Sequence, residues 1–129
     1  MQKFVAVLVL LNLSACAVTA ERPRTVKQVI ENHEDLNGKL VTVSGWLGEC
    51  QRLSCPLYDS REEAQKANPY FLSIGGDYWF DFLTRGKSPS QITLRGRVNS
   101  RCIDEITLCT DRSDDLVPVQ IIEWDHPSN

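Results

Sequence analysis

Two stretches of the chain share one pattern: Val-Thr-Val-Ser-Gly-Trp-Leu at residues 41–47 and Ile-Thr-Leu-Arg-Gly-Arg-Val at residues 92–98. Apolar residues alternate with other residues in both, which predicts strands with one buried face and one exposed face. The glycine inside each stretch indicates a bulge or a sharp bend. Two strands of this kind predict a small barrel. Because the flanking sequences do not match, the chain is not a repeat protein.

The remaining elements are predicted from spacing and from turn residues. Strands are predicted at residues 39–48, 57–58, 70–74, 91–99 and 116–124, and helices at 26–34, after Ser60 and at 77–85. Thr25 with Gln28 and Ser60 with Glu63 have the spacing of capping boxes. Five strands with a helix between the third and the fourth are typical of the OB-fold. The predicted fold class is therefore mainly β, a five-stranded OB-fold-like barrel with short helices and two disulfides.

The N-terminus predicts export from the cytoplasm. Lys3 precedes an apolar run at residues 4–13, as in a secretion signal. Leu-Ser-Ala-Cys at residues 13–16 resembles the bacterial lipobox, in which the cysteine, here Cys16, is lipidated and becomes the new N-terminus. The protein is then anchored in the periplasm or at the outer membrane. Alternatively, cleavage after Ala20 releases a soluble periplasmic or secreted protein. The predicted segments are a signal at 1–20, a tether and helix at 21–36, the barrel at 37–125 and a tail at 126–129.

Four cysteines remain beyond Cys16, and an even number in a small exported domain predicts disulfides. Of the three possible pairings, Cys50–Cys55 and Cys102–Cys109 close the shortest loops at the lowest entropic cost. A four-cysteine zinc site is the less favoured alternative, because the gaps are longer than in the usual zinc knuckles.

Charge and composition exclude some classes of function. The chain of 129 residues has 14 basic and 17 acidic residues, and removal of the signal takes one basic residue and leaves a net charge of −4. An acidic domain does not attract a phosphate backbone, so nucleic-acid binding is disfavoured. The two histidines, His33 and His126, lie near no predicted nucleophile. We expect no enzymatic activity, no cofactor and no metal.

One cluster of large apolar residues lies in the helix predicted at 77–85. Trp79, Phe82 and Leu83 share one face of this helix. Such a cluster could stack on bases, but helical spacing more often indicates packing into the core. We therefore predict that this face is buried.

The first strand carries a family resemblance. Asn-Gly-Lys-x-Val-Thr-Val-x-Gly-Trp-Leu at residues 37–47 resembles the opening strand of the OB-fold anticodon-binding domains of class II aspartyl, asparaginyl and lysyl tRNA synthetases. Their second strand is aromatic and basic, whereas residues 55–63 here are acidic, so the tRNA-binding residues are not carried over. The chain is more similar to small exported bacterial OB-like proteins of unassigned role, through Leu-Tyr-x-Ser-x-Glu-x-Ala at residues 57–64. This resemblance implies fold and location and supplies no activity.

A binding site is expected where OB-folds commonly bind ligands, on the second and third strands between two rim loops. The predicted rim loops each hold one cysteine pair, which either preorganises a recognition rim or braces a long loop. The candidate binding residues are Trp46, Arg52, Tyr58, Arg95, Arg97 and Arg101. Trp46 is expected to stack on Arg95 or Arg97 if their strands are neighbours.

From these observations we expect an envelope lipoprotein whose barrel binds a protein partner or organises an envelope complex. A module that binds a saccharide or another small ligand is the first alternative. Single-stranded nucleic-acid binding is the second.

Overall fold

Five strands and four short helices make up the described part of the protein. The computed structural model describes residues 21–51, 54–75, 78–100 and 115–125. The strands are β1 (Leu40–Leu47), β2 (Ser54–Tyr58), β3 (Leu72–Gly75), β4 (Ser90–Val98) and β5 (Leu116–Asp125). The helices are α1 (Val26–Glu31), α2 (His33–Leu36), α3 (Arg61–Lys66) and α4 (Tyr78–Thr84).

The strands form a closed barrel in the order β1-β2-β3-β5-β4, and β4 pairs again with β1. β1 and β4 are antiparallel over eight residues, from Leu40 opposite Arg97 to Leu47 opposite Ser90. β5 lies antiparallel to β4, and its parallel junction with β3 is one registered pair, Ile74 with Leu116. The prediction of a mainly β, five-stranded barrel is confirmed.

Alternation along the strands produces the barrel core. Exposed or half-buried residues alternate with buried ones along the whole of β1 and the whole of β4. The inward side chains pack into one cluster with residues of α1, α2 and α4. The largest fully buried side chains are Phe80, Leu47, Leu57, Leu72, Ile74, Ile92, Leu94 and Leu116, with Val26, Val29, Val43 and Val98.

The two mid-strand glycines lie where a neighbouring strand approaches closely. A Cβ atom on Gly45 would lie 2.6 Å from the backbone oxygen of Tyr58, and one on Gly96 would lie 2.8 Å from the backbone oxygen of Val117. Register shifts between Thr93 and Leu94 and between Arg95 and Gly96 mark bulges against β5. The glycines allow β1 to approach β2 and β4 to approach β5 at van der Waals distance.

The N-terminal helix is shorter than predicted. The capping box is present, because Thr25 Oγ1 accepts from the N–H of Gln28 while the Gln28 side chain accepts from the N–H of Thr25. The helix ends at Glu31, where Asn32 adopts φ −112° and ψ 18°, and α2 follows. Apolar spacing alone did not indicate this break.

The prediction for the aromatic helix was right in position and wrong in orientation. α4 spans Tyr78–Thr84, but 79% of Phe82 is exposed, and Trp79 and Leu83 also face outward. The buried residues are Phe80, Asp81 and Thr84. Only a narrow face of α4, one helical turn long, is therefore buried against the barrel. The wider aromatic face remains outside the core.

The predicted Cys50–Cys55 disulfide is present, and it closes the connection between β1 and β2. Cys102, Cys109, Arg52, Arg101, the export signal with Cys16 and the tail lie outside the described residues. β2 begins at Ser54, three residues before its predicted start, because Gln51 and Ser54 pair across the turn. No helix among the described residues is long and apolar enough to cross a bilayer.

Candidate functional site

A groove of about 680 Å³ runs along the outside of β2, between the disulfide-closed turn and α3. β2 and the chain just before it form one wall, and α3 with the segment leading to β3 forms the other. Its lining residues are Glu49, Gln51, Ser54, Pro56, Tyr58, Ala64, Gln65, Ala67 and Phe71. It lies beside the second and third strands, the face on which an OB-fold site was expected.

Tyr58 is the aromatic floor of this groove. Tyr58 is only 3% exposed, although its side chain lies on the outer face of β2. The ring lies against Gly48, since a Cβ there would lie 2.6 Å from Tyr58 Cε2 and 3.0 Å from Pro56 Cγ. Burial raises the pKa of the Tyr58 hydroxyl above its ordinary value of 10.0. At neutral pH the floor therefore presents a neutral phenol.

The second aromatic residue of the groove is Phe71, just before β3. Its ring centroid lies 5.6 Å from that of Tyr58, with the planes tilted by 53°. Phe71 remains 38% exposed, so this tilted pair keeps an accessible apolar surface.

The α3 side of the groove ends in an unusual backbone conformation. Ala67, the C-cap of α3, has φ 49° and ψ 54°, the left-handed region that normally favours glycine. Its N–H still donates to the carbonyl of Glu63, and the N–H of Asn68 donates to the same carbonyl. Alanine at this position places a methyl group on the groove wall at a cost of order 1 kcal/mol.

The opposite edge is held by a dense set of short links. Gln51 and Ser54 exchange backbone hydrogen bonds at 2.9 and 3.1 Å, next to the disulfide. The hydroxyl groups of Ser54 and Ser73 lie 2.5 Å apart and connect β2 to β3. These links fix the groove edge before any ligand binds, which lowers the ordering cost of binding.

The chemistry of the groove is apolar and amide-like. Among the described residues that line it, Glu49 is the one charged residue, and Gln51 and Gln65 supply neutral donors and acceptors. A neutral amide carries both donor and acceptor, so it can pair with a peptide group or with a sugar hydroxyl. The part of this lining that the structure describes holds no basic residue, so those side chains offer a phosphate backbone no ion pair.

Trp46 and Tyr58, two of the predicted binding residues, are brought together. They are partners across the β1–β2 register. The predicted stacking of Trp46 on a β4 arginine is wrong, because Gln91 is the β4 residue opposite Trp46. The guanidinium of Arg61, at the start of α3, lies 5.8 Å from the Trp46 ring instead.

Arg95 and Arg97 lie near the other end of the β1–β4 pair. Arg95 is opposite Thr42, and Arg97 is opposite Leu40 and donates to the carbonyl of Gly38 at 2.6 Å. The connection after β1 and the connection after β4 leave opposite ends of this strand pair. The predicted binding residues on β4 are therefore separate from the groove.

Sequence reasoning missed the α3 side of the groove, namely Ala64, Gln65, Ala67 and Phe71. The capping box at Ser60 located the helix but not the surface that it faces. Phe71, inside the strand predicted at residues 70–74, was the available signal, because an aromatic residue on the outer face of a barrel lies in contact with solvent or with a ligand.

A second, smaller depression of about 280 Å³ lies over β1 and β4. Polar residues form most of its lining, and the hydroxyl of Thr93 donates to that of Ser44 at 2.9 Å within it. Glu123 and Asp125 contribute carboxylates. Among the described residues, no group of three or more potential metal ligands is present here or elsewhere.

Comparison with known proteins shows no matching family model and no similar curated protein.

Proposed function

We propose that this chain is a non-enzymatic lipoprotein of the cell envelope, whose OB-fold barrel binds a segment of a protein partner in the groove along β2. Three features support the OB-fold assignment: five strands, closure in the order β1-β2-β3-β5-β4, and a helix between β3 and β4. The fold by itself does not define an activity, so the function is argued from the groove.

The observation that carries the proposal is the groove floor of Tyr58 and Phe71, flanked by neutral amides. Partly exposed aromatic side chains beside buried ones are the usual anchors of protein interfaces. Gln51 and Gln65 are placed to pair with the backbone of an extended segment, and the braced turn keeps the edge rigid. A peptide with one or two apolar side chains matches this surface.

Location in the envelope is supported by two independent features. The disulfide Cys50–Cys55 is of the kind that persists in an oxidising compartment. The lipobox-like sequence at residues 13–16 provides the anchor. Mass spectrometry of the protein isolated from its native envelope tests the anchor, since an N-terminus at acylated Cys16 is expected and one at Glu21 would contradict it.

A saccharide is the second candidate for the same groove, because sugars stack on aromatic rings and pair with amides. Oligosaccharide fragments of the cell wall can be titrated against the protein and against its Trp46→Phe variant while tryptophan fluorescence is recorded, so that the share from Trp46, the neighbour of Tyr58, is identified. A saturable change would favour the saccharide over the protein partner.

Photocrosslinking in the native envelope tests the protein partner directly. A photoreactive amino acid replaces Gln65, which lines the groove, or Gln120, an exposed residue of β5 that does not. A discrete crosslinked product from position 65, absent at position 120, is the expected result. Identical products at both positions, or none, would contradict a partner in this groove.

Two adjacent aromatic residues provide a matched pair of variants. Phe71 and Tyr70 are 38% and 46% exposed, but only Phe71 lines the groove. Phe71→Ala should abolish the crosslink from position 65, whereas Tyr70→Ala should leave it unchanged. Equal losses would show that the effect is not specific to the groove.

A further inference from the structure

The outward face of α4 carries exposed apolar side chains that lie outside the groove lining. Four of its seven residues are large, apolar and exposed: Tyr78, Trp79, Phe82 and Leu83. Three of the four are aromatic, and none of them belongs to the groove lining. A patch of this kind on a small domain indicates an interaction site.

The residue types match the interface of a phospholipid bilayer. Trp and Tyr prefer the level of the lipid headgroups, where an apolar ring and a polar atom are both accommodated. Phe and Leu supply the side chains that enter the acyl region when a short amphipathic element lies in the interface.

The charged groups in and next to α4 are also compatible with contact to a lipid surface. Its one carboxylate, on Asp81, is turned inward with 7% of its side chain exposed, and it pairs with Arg85 at 2.5 Å. The Arg85 side chain stays 74% exposed. The one carboxylate of α4 is therefore buried and compensated by an ion pair, so among the described residues of this helix no free negative charge opposes an anionic lipid surface.

The position of α4 in the barrel is set by the end of β1. Thr84 Oγ1 lies 3.6 Å from Cys50 Sγ and 3.5 Å from Cys55 Sγ, so the C-terminal end of α4 rests on the disulfide that follows β1. The chain at Arg24 is fixed nearer the start of β1, where it forms a parallel β-bridge with Val43. The N–H of Arg24 donates to the carbonyl of Thr42 at 2.8 Å, and the N–H of Ser44 donates to the carbonyl of Arg24 at 2.9 Å.

The proposed lipid anchor can reach that level of the barrel. Arg24 follows Cys16 by eight residue steps, and an extended chain of eight steps spans at most about 29 Å. From Val43 to Leu47 the rise along β1 is about 13 Å. The tether is thus long enough for the α4 end to lie on the membrane in which Cys16 is anchored.

We propose that the exposed face of α4 lies in the headgroup region of the bilayer and is the second membrane contact of the protein, after the lipid anchor. The inference rests on the proposed anchor for its geometry. It concerns a surface separate from the groove, so the two can be tested independently. A bilayer-bound α4 would hold the barrel in one orientation and leave the groove along β2 accessible from the side.

Fluorescence quenching by brominated phosphatidylcholine tests this contact. The mature protein is isolated from its native envelope, with whichever N-terminus the mass shows, and mixed with or reconstituted into phosphatidylcholine–phosphatidylglycerol vesicles. Trp79 is one of three tryptophans in the chain. Bromine near the headgroups should quench the share of the emission that belongs to Trp79, and the Trp79→Phe variant should lose that quenching. Equal quenching in both proteins, or none in either, would overturn the proposal.

A second measurement separates the contact from the anchor. Phe82 and Leu83 each bury a large apolar area if they enter the bilayer. The double variant Phe82→Ser, Leu83→Ser should therefore weaken vesicle binding of an unlipidated protein at least about tenfold. In an anchored protein the same variant should abolish the Trp79 quenching. Val119→Ser with Ile122→Ser removes two comparably exposed apolar residues of β5 and serves as the control.

The outcomes distinguish the possible failures. An N-terminus at Glu21 together with Trp79 quenching would refute the anchor and keep the membrane contact. An acylated Cys16 without quenching would refute the contact and keep the anchor. Self-association that the Phe82→Ser, Leu83→Ser variant removes, in the absence of quenching, would assign the face to a second copy of the chain and overturn the proposal.

Discussion

The carboxylate of Asp59 caps a helix that lies more than thirty residues earlier in the chain. The N–H of Val26 donates to Asp59 Oδ1 at 2.8 Å, and the N–H of Lys27 donates to Oδ2 at 3.0 Å. Two of the N–H groups that a helix leaves unpaired at its start are satisfied in this way. Asp59 follows β2 directly, so one side chain connects the groove strand to α1.

Replacement of Asp59 should loosen this connection. Asp59→Ala is expected to lower the free energy of unfolding by about 1–2 kcal/mol, because a helix cap is lost. Asp59→Asn keeps one acceptor oxygen and should cost less. Urea unfolding measures both, with Asp35→Ala on α2 as a control of equal charge. An Asp59→Ala variant as stable as the control would show that the cap contributes nothing.

The two glycines near Tyr58 should respond differently to alanine. At Gly45 the added methyl meets a backbone oxygen of β2, which cannot move without opening the β1–β2 pair. At Gly48 it meets the edge of the Tyr58 ring, which can rotate toward the groove. Overpacking of this kind costs about 1–3 kcal/mol. We expect Gly45→Ala to be the more destabilising in urea unfolding and Gly48→Ala to be the more damaging to crosslinking from position 65; the reverse order would contradict the assigned contacts.

The Cys50–Cys55 disulfide should stabilise both the protein and the position of α4. A loop this short contributes about 2 kcal/mol by restricting the unfolded chain, so Cys50→Ala with Cys55→Ala should lower the free energy of unfolding by that amount. Because Thr84 packs against both sulfurs, amide exchange in α4 should accelerate while exchange in α3 does not. Uniform acceleration in both helices would show that the disulfide acts only on the whole domain.

The buried phenol of Tyr58 should produce a loss of stability at alkaline pH. Its pKa in the folded state lies above the ordinary 10.0, because burial disfavours the charged form. The unfolded state therefore loses its proton first, so this contribution is complete below pH 10 and is lost as the pH rises through the folded pKa. Tyr58→Phe should remove that part of the loss. Urea unfolding measured against pH checks the assignment, and a Tyr58→Phe variant that keeps the whole alkaline loss would contradict it.

The strands were predictable where one face is buried, because alternation in β1 and β4 directly encodes which side chains enter the core. The capping boxes were predictable as well, because the two residues that form each box are only three positions apart in the sequence. The Asp59 cap was not, because its partners come together only after β2 and α1 have packed. Sequence periodicity relates only residues that belong to the same helix or strand, and the Asp59 cap joins two different elements.

The same limit explains the error at α4. Trp79, Phe82 and Leu83 form the more apolar stripe, but the barrel end accepts Phe80 and Thr84, which pack on the core and on the disulfide. An apolar helix face predicts burial, but the sequence pattern does not indicate whether the face is buried by the core of the same chain. The groove was harder still, since Gln65 and Ala67 have no pattern that relates them to Tyr58.

The single registered pair between Ile74 and Leu116 gives the barrel an asymmetric seam. β5 is paired with β4 along almost all of its length, and beside the one pair with β3 the N–H of Ser73 donates to the Asp115 carboxylate at 2.8 Å. The barrel is thus closed by few backbone pairs at this seam, against eight registered pairs between β1 and β4. Because local opening begins where the fewest pairs must break, the closure of the barrel beside β3 is expected to be less stable than the β1–β4 pair.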